Sequence, residues 1–140
     1  MFKSLHHVPM ALMDVAFAEI HRVLRPGGLA YISEPVYAGD FNEVLRLFHD
    51  EKTVREAAFA AVQRAVASGN FTLESQQFFL QPMHFDDFEH FARQVIGVTH
   101  TSHNLSPQLF EQVRSSFERH MTGGGADFRM PIRIDLLRRA

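Results

Sequence analysis

Arg22-Val23-Leu24-Arg25-Pro26-Gly27-Gly28-Leu29, followed by Ile32-Ser33-Glu34-Pro35, is the stretch that decides the fold. Just before it, Leu12, Ala16, Phe17, Ile20, Val23 and Leu24 recur at helical spacing, the pattern of a helix with one apolar face. Asp14 and Glu19 lie early in that helix and Arg22 and Arg25 late, as the helix dipole favours. Pro26-Gly27-Gly28 stops it, since proline cannot continue a helix and glycine suits the turn beyond one. Leu29-Ala30-Tyr31-Ile32-Ser33 is a short apolar run closed by Glu34-Pro35, and it predicts a buried strand of the parallel-sheet kind. On the far side of the helix, Met1-Phe2-Lys3-Ser4-Leu5 reads as the end of a strand that leads into it through His6-His7-Val8-Pro9.

Toward the C-terminus, residues 41–67 carry a helical pattern with a break near Asp50-Glu51, and Gly69-Asn70 ends it. Phe78-Phe79-Leu80-Gln81-Pro82 predicts a second strand. Asp86, with Glu89 three positions on, reads as a capping box for a helix bearing Phe88, Phe91, Ala92 and Val95. Residues 98–103 are expected to be extended. Ser106-Pro107 is an N-cap with proline in the first helical position, ahead of Leu109, Phe110, Val113 and Phe117 on one face. Gly123-Gly124-Gly125 is a turn, and Ile132, Ile134 and Leu136 alternate as a final strand. Strands alternating with helices predict an α/β layered sheet. The final strand follows a glycine turn rather than a helical crossover, so it is placed as an antiparallel edge strand.

Composition narrows the function classes. Fourteen Phe against two Tyr and no Trp imply rings that are buried, in a core or against a partner, because Phe has no polar handle. Sixteen acidic and fourteen basic residues give a net charge of −2, which provides no field for gathering phosphates and argues against nucleic-acid binding. No run approaches the roughly 18–20 apolar residues of a membrane span, so no membrane partner is expected and a cytoplasmic location is the default reading. The chain has no Cys, which excludes disulfides and thiol catalysis.

In order and spacing, the Phe2–Pro9 block and the Arg22–Pro35 block resemble the fourth strand, fourth helix and fifth strand of class I S-adenosylmethionine-dependent methyltransferases of the small-molecule type. The resemblance implies that residues 1–140 are a single domain, the C-terminal portion of a methyltransferase domain with a partial Rossmann-like sheet. It implies S-adenosylmethionine as cofactor and a small molecule as methyl acceptor. The Gly-rich loop that holds the cofactor in such enzymes has no counterpart here; the Gly123–Gly125 cluster comes late and precedes no helix. The chain therefore reads as truncated, weakly active or inactive alone, and stabilised as a homodimer.

The resemblance places Ser4, Leu5 and His6 near the cofactor, with His6 and His7 as catalytic residues and His7, Glu34 and Tyr37 toward the acceptor. Methyl transfer to a hydroxyl or carbon acid needs a positioned base, and imidazole titrates near pH 6.5. The competing expectation is that His6 or His7 caps the next helix or bonds to backbone, and that Glu34 merely ends a strand. His100 and His103, with His84 or the first pair, match no tight ligand spacing, so no metal is expected. The set Phe78, Phe79, Phe85, Phe88 and Phe91 could line an apolar pocket, although its spacing reads mostly as core. Arg133, Arg138 and Arg139 read as a solvated edge. A non-catalytic dimerising or partner-binding α/β module is the main alternative. A nicotinamide-dependent dehydrogenase trails, for want of a Gly fingerprint and of a Tyr-x-x-x-Lys pair.

Overall fold

A computed structural model of the chain describes residues 1–97 and 105–140. The expectation of an extended segment at 98–103, and with it His100 and His103, lies outside the described residues. The chain forms a mixed α/β structure of two compact units, one comprising residues 1–37, 51–80 and 131–140, the other residues 38–50 and 81–130.

In the first unit, a single helical turn over Met10–Leu12 leads into α1, Met13–Val23. Then come β1 (Leu29–Pro35) and, after a short helix α2 (Asp40–Leu45) belonging to the second unit, α3 (Lys52–Ala67). The break expected near Asp50-Glu51 thus separates α2 from α3. β1 pairs antiparallel with the last strand β4 (Gly125–Arg139), in a register that joins Leu29 to Arg138 and Pro35 to Ile132. Its other edge takes the start of the chain. Phe2 bridges Ser33 in parallel, with Ser33 N–H donating to Met1 O at 2.9 Å and Lys3 N–H donating to Ser33 O at 2.7 Å. The two strand ends expected to be parallel neighbours are therefore side by side.

α1 and α3 cover this part of the sheet. Met13 and Phe17 of α1 pack with Ala58, Ala61, Val62 and Ala65 of α3, and with Leu5, Ala30, Ile32, Phe71 and Leu137. The small residues of α3 allow close approach, and full burial of side chains such as Phe17 and Ile32 contributes roughly 1.5–3 kcal/mol each. The apolar stripe of α1 is narrower than its periodicity suggests, because Leu12 and Val23 remain exposed and Met13 is buried in their place. β1 likewise alternates at its start, with Leu29 and Tyr31 exposed, so it is not covered on both faces there.

Two expectations about strands need correction. The run Phe78–Pro82 is one part of a 15-residue strand β2, Phe71–Phe85, and it is the exposed part: Phe78, Phe79 and Leu80 all face solvent. β4 is antiparallel but not an edge. The strand order is β1-β4-β2, so β4 has a neighbour on both sides and β2 takes the edge.

The second unit buries most of the remaining rings. Phe41 of α2 meets Phe85 and Phe128, while α4 (Phe88–Phe91) and α5 (Pro107–Glu118) bring Phe88, Phe91 and Phe117 into the same cluster. Phe85, Phe88 and Phe91 are thus core residues rather than pocket lining. The cap of α4 is Asp87, whose carboxylate accepts from His90 N–H at 2.7 Å, and not Asp86. Ser106 caps α5 as expected, accepting from Leu109 N–H, with Pro107 in the first helical turn. A two-residue strand β3 (Met121–Thr122) turns through Gly123-Gly124 into β4.

Candidate functional site

The chain leaves the parallel bridge at Lys3, whose φ of +48° lies in the left-handed region that a side chain disfavours. It then closes a tight helical turn over Leu5–His7. This turn points two backbone N–H groups at the end of β1. Glu34 Oε1 accepts from Ser4 N–H at 3.0 Å and from Leu5 N–H at 2.7 Å. The other carboxylate oxygen, Oε2, makes a short hydrogen bond with His6 Nδ1. Both side chains are buried, Glu34 at 2% exposure and His6 at 6%. Burial pushes the Glu34 carboxyl up, but hydrogen bonds from His6 and the Leu5 and Ser4 amides outweigh it and hold the group below its ordinary value.

A carboxylate can only accept here, so His6 donates its Nδ1–H to Glu34. His6 Nε2 faces Glu51 Oε1 at 3.8 Å. Glu51 is in turn gripped through its other oxygen by Arg55, from Nη2 at 2.6 Å and Nε at 3.1 Å. Arg55 also reaches Val36 O at 3.3 Å, tying α3 to the end of β1. His7 is exposed, and its ring centroid stands 4.1 Å from that of His6. His6, His7 and Glu51 each offer a ligand atom, and those atoms lie within 4.8 Å of one another.

Past the end of β1, half-buried Tyr37 lines an open cleft of about 220 Å³ together with Arg55, Glu56, Phe59 and Arg133. Arg133 is buried, not part of a solvated edge. Its Nε donates to Asp135 Oδ2 at 2.7 Å, its guanidinium stacks 3.8 Å over Phe59, and its Nη2 has no hydrogen-bond partner among the described residues. Asp135 lies opposite Ile32 of β1, so the pair sits inside the sheet. Arg139 is half-buried as well, donating to Leu24 O; Arg138 is exposed and pairs with Glu74.

Among solved structures, the fold resembles a protein of Bacillus halodurans C-125 described as a putative methyltransferase. The TM-score is 0.55 at 16% identity, over 97% of this chain and 61% of that one. The likeness is one of fold. No protein-family model and no curated protein matches the chain. Among the described residues, no helix is long and apolar enough to cross a membrane.

The fold thus brings Ser4, Leu5, His6, His7 and Glu34 together and leaves Tyr37 on the adjoining cleft, joined to the group through Arg55 and Val36. Sequence reading missed Glu51, Arg55 and Arg133. Glu51 and Arg55 stand four apart, where a helix sets a carboxylate beside a guanidinium. That spacing is visible in sequence, but nothing in it says that the pair faces His6.

Proposed function

We propose that this chain carries the acceptor side of an S-adenosylmethionine-dependent methyl-transfer site acting on a small molecule, and that it is weakly active or inactive alone. The observation that carries this reading is the parallel pairing of Phe2 with Ser33. It sets Ser4–His7 beside Glu34 at the carboxyl ends of two neighbouring strands, where layered α/β sheets bind ligands. On this reading the sheet is the C-terminal part of a Rossmann-like layer, residues 1–140 act as one domain, and the protein works in the cytoplasm. His7 would face the acceptor from the exposed side, Glu34 would hold His6 in one tautomer, and Tyr37 would border the acceptor cleft.

Among the described residues, those expected at the methyl donor do not form a cradle for it. The Ser4 and Leu5 amides are committed to Glu34, the Leu5 side chain is fully buried, and Gly123-Gly124 serve a strand hairpin rather than a helix N-terminus. Calorimetric titration with S-adenosylhomocysteine is therefore expected to give no micromolar binding, and such binding would overturn the inactive-alone reading. Amide NMR of the chain with a library of small hydroxylated and carboxylated aromatics tests the acceptor side. Shifts are expected at residues 4–7 and 34–37, and a library that moves none of them counts against the proposal.

A second reading, a dimerising or partner-binding module without catalysis, is favoured by one feature. Phe78, Phe79 and Leu80 are exposed on edge strand β2, and an apolar edge strand tends to be covered. A homodimer accommodates both readings, with light scattering during size exclusion as its check; a monomer stable at high concentration would remove it.

A further inference from the structure

We propose that His6, His7 and Glu51 bind one first-row divalent transition-metal ion of the zinc or cobalt class. This does not rest on the methyl-transfer reading. His6 is held through Nδ1 by Glu34, and its Nε2 stands 3.8 Å from Glu51 Oε1. A cation between them would be bonded by both, displacing any proton on Nε2. His7 adds a third ligand atom, and those of His6, His7 and Glu51 all lie within 4.8 Å of one another. In a tetrahedral centre with bonds of roughly 2.0–2.1 Å, ligands stand about 3.3 Å apart, so closure asks for shifts of about an ångström. The exposed His7 can supply these by side-chain rotation.

Both inner ligands are already oriented from behind. Glu34 holds His6 in the carboxylate–histidine arrangement that raises ligand basicity and fixes the tautomer. Arg55 occupies Glu51 Oε2 and leaves Oε1 turned toward His6. Two imidazoles and one carboxylate suit zinc and its neighbours better than calcium or magnesium, which prefer oxygen donors. With three protein ligands and His7 exposed, the ion would keep one position open to solvent, as catalytic rather than structural sites do. His6 and His7 would then be ligands rather than bases, and the ion would polarise a bound oxygen.

The test uses the full chain, stripped of metal with a chelator and titrated with CoCl2 and ZnCl2. One Co²⁺ per chain is expected at micromolar affinity, with the visible absorption of a four- or five-coordinate ion that Zn²⁺ bleaches. His7→Ala, at an exposed position, and Glu51→Gln should each weaken binding by at least about tenfold. Glu34→Gln should weaken it roughly 10–100-fold through His6. With nine histidines in the chain, adventitious binding is separated by His84→Ala, which should leave the affinity unchanged. Circular dichroism confirms that each variant is folded. Absence of stoichiometric binding, or binding that either His7→Ala or Glu51→Gln leaves intact, overturns the site.

Discussion

Glu34 Oε1 accepts the backbone N–H of Leu5 at 2.7 Å, joining the turn that carries His6 to the end of β1, 29 residues later in the chain. The same oxygen takes Ser4 N–H, and Oε2 takes His6 Nδ1–H. One carboxylate, itself buried, therefore satisfies three donors.

Removing that carboxylate should cost far more than a surface substitution. Glu34→Ala leaves the three donors without their acceptor, and breaking such buried charged contacts costs about 3–5 kcal/mol. Glu34→Gln keeps one acceptor oxygen and should lose about half as much. Urea denaturation followed by circular dichroism measures both. Equal stability of Glu34→Ala and the parent would show that the three contacts contribute nothing.

Local chemistry made much of the fold legible. Pro26-Gly27-Gly28, the Gly69-Asn70 stop and the Ser106-Pro107 cap act within a few residues, so their elements follow directly from sequence. The parallel neighbourhood of Phe2 and Ser33 came from the resemblance rather than from periodicity. β2 was hidden because its N-terminal half carries Glu74 and Gln76, which look like loop residues in isolation. Their partners lie across the sheet, Arg138 for Glu74 and Asp135 for Gln76. The run expected as the second strand, Phe78–Leu80, lies within β2 with its apolar side chains exposed. At the candidate site, Ser4, His6, His7 and Glu34 stood out in sequence. Glu51 and Arg55 did not, since the contact that matters closes a loop of 45 residues between His6 and Glu51.

Arg133 and Asp135 offer a test of buried charge. Asp135 is fully buried and held by Arg133 Nε at 2.7 Å and by Gln76 Nε2 at 2.7 Å. Arg133→Met leaves that carboxylate with a single donor and should cost about 3–5 kcal/mol, whereas Arg133→Met with Asp135→Leu should restore most of the loss. Thermal or urea unfolding of the two single variants and the double gives the coupling. Additive losses would mean that the two charges do not support each other.

His84 should titrate higher than an isolated imidazole. A hydrogen bond to Asp127 at 2.8 Å is the main cause, with the charges of Asp127 and Asp86 adding to it, and together they hold the ring above its ordinary 6.5. A raised value in the folded state means that the protonated ring stabilises the fold. That contribution is complete below 6.5, the unfolded value, and is lost as pH rises through the folded value. The pH titration of the His84 ring proton by NMR should show the raised midpoint, and Asp127→Asn should lower it. An identical midpoint in that variant would remove Asp127 as the cause.

The hairpin from β3 to β4 distinguishes glycines that the sequence presents as equivalent. Gly125 has φ +106°, and a Cβ there would lie 2.5 Å from Phe85 O and 2.8 Å from the His84 ring. The backbone oxygen cannot move aside without breaking the strand contact, and the conformation itself disfavours a side chain. Gly123 meets nothing within 4 Å and is not held at positive φ. Gly125→Ala should therefore destabilise by about 2 kcal/mol or more, while Gly123→Ala should be neutral or stabilise by up to about 1 kcal/mol, because it restricts the unfolded chain. The two variants differ by the same single methyl group, so their separation in urea midpoint reports the close approach of β4 to β2 together with the positive φ of Gly125. Equal midpoints would mean that the strands part at Gly125 without cost.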